Sequence, residues 1–242
     1  MTTQCKDCPL RTKPLFQGMS EEEAQQTQRF KSGELVVDPG TPLMLEGSNA
    51  PQLYTALRGM GIRYKTLPNG RRQVINLIFP GDFIGLQAGI MGEMSHSVEA
   101  TTKMTLCVFD RKAFFNFFRS NTERAFDITW LAAVEEHFLG EALTTVGQRS
   151  AESSVAWAML KVYHRCDALG LAQDRSMPFP FRQQDLADAL GLSLVHTNKT
   201  LSKLRDAQMA RWSDGELNIL NYDRLAELAM MQEEEARPRP LI

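Results

Sequence analysis

FRQQDLADALGLSLVHTNKTLSKLRDAQMAR, residues Phe181–Arg211, carries two short helical patterns separated by one glycine. Leu186, Ala187 and Leu190 fall on one face of the first pattern. Gly191 follows, where a tight turn between helices wants a residue without Cβ. Ser193 stands where it would cap the second helix, and Thr197, Leu201 and Leu204 recur at helical spacing. Two short helices joined by a short turn at glycine form the helix-turn-helix unit. The outward face of its second helix holds Val195, His196, Asn198, Lys199, Ser202 and Lys203, with no carboxylate before Asp206. Over residues 182–211, Arg182, Lys199, Lys203, Arg205 and Arg211 outnumber Asp185, Asp188 and Asp206, in a chain of net charge −2. Positive charge thus gathers where phosphates would be met. Arg211–Leu220 continues as a hairpin with an Asp214-Gly215 turn, which makes a winged form of the motif. An ordinary helical hairpin needs neither the cap nor the wing, so their coincidence favours DNA binding.

Upstream of this motif the period is helical. Along 126–146 one apolar line runs through Leu131, Val134, Phe138 and Thr145, and a second through Ala132, Leu139, Leu143 and Val146, with Glu136 intruding. A helix apolar on two faces needs two partners: the β domain of its own chain can be one and a second copy the other, the alternative being a helix sandwiched inside a monomer. Ser150 is placed to cap a following helix that carries Val155, Met159, Val162 and Tyr163 and stops before Gly170.

The first half has a different texture. Glycines punctuate short runs at Leu35–Val37, Leu53–Leu57, Ile62–Thr66, Gln73–Phe79, Val98–Ala100 and Thr105–Phe109, the spacing of a sandwich or barrel. Pro68-Asn69-Gly70 reads as a hairpin turn with Asn-Gly at positive φ, and Pro80-Gly81-Asp82 as a second turn. The fold class is therefore α+β: a sandwich or barrel with an N-terminal cysteine segment over 1–118, a long helix over 119–147 and a winged helix-turn-helix over 148–232. Residues 233–242, charged and proline-containing, read as a mobile tail.

Composition agrees with two modest domains. The chain has 242 residues, 27 Lys+Arg against 29 Asp+Glu, 43% hydrophobic and 23% charged residues. That balance excludes a globally basic coat but not a local basic face. MTTQCKDCPLRTKP at the N-terminus lacks the apolar core of a signal peptide, and no run reaches the roughly 18 apolar residues that span a bilayer. A cytoplasmic protein without a membrane partner is expected, and in that reducing compartment Cys5, Cys8, Cys107 and Cys166 form no stable disulfide.

Three patterns together resemble the cyclic-AMP receptor / fumarate-nitrate regulator (CRP/FNR) family of bacterial transcription factors. They are PGDFIGLQAG at Pro80–Gly89, the long helix over 120–146, and QQDLADALGLSLVHTNKTLSKL at Gln183–Leu204, within a likeness that covers about residues 12–228. The resemblance makes residues 1–118 a sensor β-roll and 119–147 a dimerisation helix, and implies a homodimer with RNA polymerase as a partner, acting as activator or repressor. It would bind double-stranded DNA at a near-palindromic site, with half-sites about one turn, roughly 34 Å, apart. Many members have Arg, Glu and Arg where this chain has Leu194, Val195 and Lys199. Leu194 and Val195 can pack on a thymine methyl but make no hydrogen bond, Asn198 can read adenine, and Lys199 can read guanine or bind phosphate. Arg182, Gln183, Ser193 and His196 suit phosphate contacts, and Lys203 counts with them among the DNA-binding residues. The half-site is expected to differ from the family's common one.

The resemblance also marks a sensor pocket around Gly85, Leu86, His96 and Ser97. Cyclic-nucleotide-binding members carry Glu just after the glycine turn and Arg-Ser or Arg-Thr ahead of the central helix. Leu86 cannot accept a hydrogen bond, and a largely neutral His96 cannot replace a bidentate guanidinium. Cyclic AMP is therefore not the expected ligand, although another small molecule remains an alternative. Oxygen-sensing members hold an iron–sulfur cluster on N-terminal cysteines and one internal cysteine. Cys5, Cys8 and Cys107 resemble those positions, but the third N-terminal place falls at Pro14, and a cluster of this type wants four thiolates. A simpler thiol redox switch, or a buried strand thiol beside a flexible dithiol, are the competing readings.

Two rivals stand beside a regulator. No G-x-S-x-G, H-E-x-x-H or P-loop pattern occurs, which speaks against an enzyme. A ligand-sensing module without DNA binding would leave the helix-turn-helix unexplained.

Overall fold

The structure, a computed structural model, describes residues 2–231 and 238–242. Two 3₁₀ turns, Cys5–Asp7 and Pro9–Thr12, precede helix α1 (Glu21–Phe30). Strands β1 (Lys31–Val37), β2 (Pro42–Met44), β3 (Gln52–Arg58), β4 (Gly61–Thr66), β5 (Arg72–Ile78) and β6 (Phe83–Ile84) follow. Helix α2 (Leu86–Met91), strands β7 (Ser97–Ala100) and β8 (Met104–Asp110), and helix α3 (Arg111–Ser120) lead to the long α4 (Thr122–Gln148). Then come α5 (Ala151–Ala168), β9 (Ser176–Pro178), α6 (Gln183–Leu190), α7 (Leu194–Asp206), β10 (Ala210–Ser213), β11 (Glu216–Ile219) and α8 (Tyr222–Ala229). The described residues group into two compact units, one of 2–70, 76–136 and 238–242, the other of 71–75 and 137–231.

The first unit is a β-roll. Its sheets run β1-β8-β3-β6 and β2-β7-β4-β5, the first residues of β5 grouping with the second unit. Ala56, Ile78, Ile84, Val98, Met104 and Leu106 fill the space between the sheets. All six apolar runs read from the sequence are strands; β2 and β6, of three and two residues, are too short to show alternation. The other face of the first sheet is aromatic: Phe30 of α1 stacks on Phe109 of β8 and Phe117 of α3, with ring centroids 4.7 and 4.4 Å apart. Helix α1 starts in a capping box, in which the Ser20 hydroxyl accepts from the Glu23 N–H at 3.2 Å while the Glu23 carboxylate accepts from the Ser20 N–H at 2.7 Å.

The hairpin turn at Pro68-Asn69-Gly70 joins β4 to the neighbouring β5, and of its Asn-Gly pair the glycine alone uses positive φ. Gly70 N–H donates to the Leu67 carbonyl at 2.8 Å, and only Gly70, at φ +81°, takes the left-handed region there. Pro68 at the second position presets a type I turn, so Asn69 needs no positive φ.

The two apolar lines of α4 separate as read. Leu131 and Thr145 are buried and Val134 and Phe138 half-buried, whereas Ala132, Leu139, Leu143 and Val146 are exposed. In the second unit the Ser150 hydroxyl caps α5 by accepting from the Ser153 N–H at 3.2 Å, and Val155, Met159 and Val162 are buried. Strand β9 completes a sheet of order β10-β11-β9, tolerating Pro178 because an edge strand can spare that donor.

One expectation fails. Of the tail read as mobile, 233–237 lie outside the described residues, but Leu241 and Ile242 are 5% and 4% exposed. Burial of two aliphatic side chains and several hydrogen bonds to the first unit outweigh the charge and proline content that pointed to mobility. Among the described residues, no helix is long and apolar enough to cross a membrane.

Candidate nucleic-acid interface

Helices α6 and α7 are joined at Gly191, whose φ of +67° closes α6 in the left-handed conformation. The Ser193 hydroxyl accepts from the His196 N–H at 3.2 Å and so starts α7. Thr197, Thr200 and Leu204 bury its rear face at 0%, 2% and 2% exposure. That leaves Ser193, Leu194, Val195, His196, Asn198, Lys199 and Lys203 exposed. Thr200 takes the inner place expected of Leu201, which is only half-buried.

The basic groups differ in their engagement. Arg182 precedes α6 with its guanidinium on Asp185, at 2.8 Å from Nη2 and 3.0 Å from Nε. Burial pushes the Asp185 carboxyl up, but hydrogen bonds from the Arg182 side chain and backbone, with the charges of Arg182 and Arg72, outweigh it and hold its pKa below the ordinary value. Arg182 thus orders the start of α6, and a phosphate would compete with Asp185 for it. Gln183 is exposed at the first position of α6. Lys203 pairs with Glu152 and Arg205 with Asp206 on the surface, pairs weak enough for phosphate to displace. Lys199 makes no hydrogen bond or ion pair with another described residue, which leaves its ammonium available on the exposed face.

The wing follows at once. Strands β10 and β11 pair Ser213 with Glu216 across Asp214 and Gly215, whose φ values of 55° and 78° are those of a type I′ turn. Trp212 packs its ring edge-on against Phe179 at 4.6 Å, and Arg211 is exposed on β10. A capped helix bare on one side, beside a two-stranded wing, is a shape a major groove admits.

Comparison with known proteins agrees with this geometry. The "Cyclic nucleotide-binding domain" family matches residues 34–121 and the "Crp-like helix-turn-helix domain" family residues 155–228. The chain is 30% identical over 231 residues, 93% of each chain, to the nitrogen fixation regulation protein FixK of Bradyrhizobium diazoefficiens. It belongs to the CRP/FNR family of transcription regulators. The transcriptional activatory protein AadR of Rhodopseudomonas palustris is also 30% identical, over 192 residues and 79% of each chain. Among solved structures, FixK2 from Bradyrhizobium japonicum superposes with a TM-score of 0.74 at 23% identity, covering 84% of this chain and 98% of that one. The protein is a DNA-binding transcription regulator of the CRP/FNR type.

Within the CRP/FNR roll, Gly85 stands before α2 at φ +95°, where a Cβ would meet the Met44 methyl at 2.6 Å. Leu86 opens α2, half-buried. The Ser97 hydroxyl is occupied, accepting from the Glu46 N–H at 3.0 Å. The sequence reading missed Arg63 of β4. It lies opposite Val98 of β7, hence on the core side of the sheet, and is 7% exposed. Its guanidinium donates to the Phe83 carbonyl and pairs with Glu135 of α4, both at 3.0 Å, and Asn76 donates to the same Glu135 oxygen at 3.0 Å. The charge of this arginine is therefore matched inside the roll.

Burial, reinforced by Arg63 and Lys65 and opposed by Glu46, pushes His96 down to about 4 from an ordinary 6.5. His96 is neutral when folded, so between those values the unfolded chain binds the extra proton. Stability contributed there is complete above about pH 6.5 and is lost at about 1.4 kcal/mol per unit as pH falls toward 4. In urea melts across that range, His96→Gln is expected to flatten the pH dependence by that slope; an unchanged slope would refute it.

Cys5, Cys8 and Cys107 lie close enough to influence one another's charge, and they number one fewer than the four thiolates an iron–sulfur cluster of this type wants. Cys5 and Cys8 lie in and beside the first 3₁₀ turn, and Cys107 on β8 faces both electrostatically. The ammonium of Lys31, which donates to the Thr3 carbonyl at 2.7 Å and to Glu34 at 2.8 Å, acts electrostatically on all three. Burial lowers the Lys31 pKa, but the Glu34 and Cys107 interactions outweigh it, and the amine stays charged. No three His, Cys, Asp or Glu among the described residues are placed to hold a metal ion. Burial also pushes Cys107 up to about 11, leaving it protonated and a slow nucleophile at neutral pH.

Proposed function

We propose that this regulator acts as a homodimer on a near-palindromic DNA site, contacts RNA polymerase there, and does not take cyclic AMP as its effector. The observation that carries the reading is the face of α7: Leu194 to Lys199 is exposed wherever Thr197 is not, on a helix whose other side is packed. The exposed line of α4, Leu139, Leu143 and Val146, supports the second copy. Arg63 paired to Glu135, the neutral His96 that Arg63 influences, and Leu86, which has no polar group to offer a ribose, support a roll unsuited to a cyclic nucleotide.

In this reading Lys199 and Asn198 reach base edges, Val195 meets a thymine methyl, and Arg182, Gln183, Ser193, His196 and Lys203 position the helix on phosphates. Selection of bound sequences from a random DNA pool tests it. An inverted repeat with half-site centres about one turn, roughly 34 Å, apart is expected. Enrichment of an unrepeated site, or of none, would overturn the proposal. Parallel selections with protein prepared with and without oxygen are expected to return the same site; a different bound fraction would assign a redox response to the thiols around Lys31.

A further inference from the structure

Pro238–Ile242 lies on the first unit in the manner of a bound peptide. Arg239 forms a parallel bridge with Phe16: its N–H donates to the Leu15 carbonyl and its carbonyl accepts from the Gln17 N–H, both at 2.9 Å. The Gln17 side chain donates to the Pro238 carbonyl at 3.0 Å. Prolines on either side of Arg239 have no N–H, so Arg239 alone in that tripeptide can pair in this way, and their fixed φ predisposes an extended strand.

Each anchor of the segment meets a built receptor. The Arg239 guanidinium pairs at 3.2 Å with Asp82, which is 5% exposed and whose other oxygen accepts from the Phe79 N–H at 2.8 Å. Arg124, 3% exposed and held by Glu23 and Asp127, donates to the Leu241 carbonyl at 3.0 Å. Thr55 of β3, 2% exposed, donates to the Ile242 carbonyl at 2.7 Å. The site needs Gly81 at φ +89°, because the Phe16 ring lies where a Cβ would stand. Thr55 faces Cys107 and Phe83 across neighbouring strands, so Ile242 is seated on the outer face of the sheet, away from the roll's interior.

We propose that the sensor unit is a peptide-binding module whose ligand is the chain's own segment 238–242, recognised as an arginine between prolines followed by two aliphatic residues. Strand addition supplies the backbone pairing, Asp82 selects the cation and the sheet face takes the aliphatic pair.

A labelled Pro-Arg-Pro-Leu-Ile peptide, titrated against the full chain by fluorescence anisotropy, tests this. Leu241→Asp weakens the internal ligand, so the peptide is expected to bind that variant at least 10-fold more tightly than the wild type, whose site is filled. Arg239→Glu, which leaves the aliphatic pair intact, is expected to do the same and guards against misfolding of the first variant. Adding Asp82→Arg to Arg239→Glu restores the internal pair with reversed sign and should exclude the peptide again. Equal binding to wild type and both single variants, or no binding to either folded variant, would overturn the proposal. In the wild type, amide exchange at Gln17 and Arg239 is expected to be slowed at least 100-fold relative to free peptide, and free-peptide rates there would also overturn it.

Discussion

A Leu143→Asp chain is expected to sediment as a monomer at concentrations where the wild type is dimeric, and to bind a symmetric site at least about 100-fold more weakly. Leu143 is 75% exposed in the single chain and lies in line with Leu139 and Val146, at 46% and 44%. Single exposed leucines are ordinary, but a row at helical spacing along a 27-residue helix is a surface awaiting a partner. A carboxylate in the middle of that row must be desolvated unpaired on association, which costs several kcal/mol, whereas in the lone subunit it stays in water. The subunit's own melting should therefore be nearly unchanged, which separates loss of pairing from loss of fold. A variant that remains dimeric in sedimentation equilibrium would move the interface elsewhere.

Lys199→Ala is expected to lose about 10- to 100-fold in affinity for the selected site while binding to random DNA falls little. The range corresponds to the roughly 1–3 kcal/mol of a good base contact. Lys199 is exposed on α7 and, unlike Lys203 and Arg205, bonds to no described residue, so its removal leaves no stranded carboxylate. A role on phosphate gives a different signature: equal losses on specific and random DNA, with the salt slope reduced by about one. Fluorescence titrations at several salt concentrations distinguish the two, and unchanged affinity with unchanged specificity would remove Lys199 from the reading set.

Much of the recognition unit was legible because its determinants are local. Gly191, the Ser193 cap and the Asp214-Gly215 turn each act within four residues, and a helical period shows which side is dry. The capping box at Ser20 and Glu23 is equally local, a signal for α1 that went unread. Arg63 was not legible. One position along a strand reverses the face a side chain takes, and only the pairing of β4 with β7 puts it inside. The tail misled for a related reason: charge and proline content describe a segment's affinity for water, not the receptor it meets elsewhere.

The sequence alone determined a sandwich or barrel of short strands, a long two-faced helix and a winged helix-turn-helix, since turns, caps and periodicity are short-range properties of the chain. Only the tertiary structure decided that Lys31 acts on Cys5, Cys8 and Cys107, that Glu135 answers Arg63, and that Ile242 rests on Thr55 from 187 positions away. Those meetings depend on strand register and on which distant surfaces close over one another, and no local pattern carries that information.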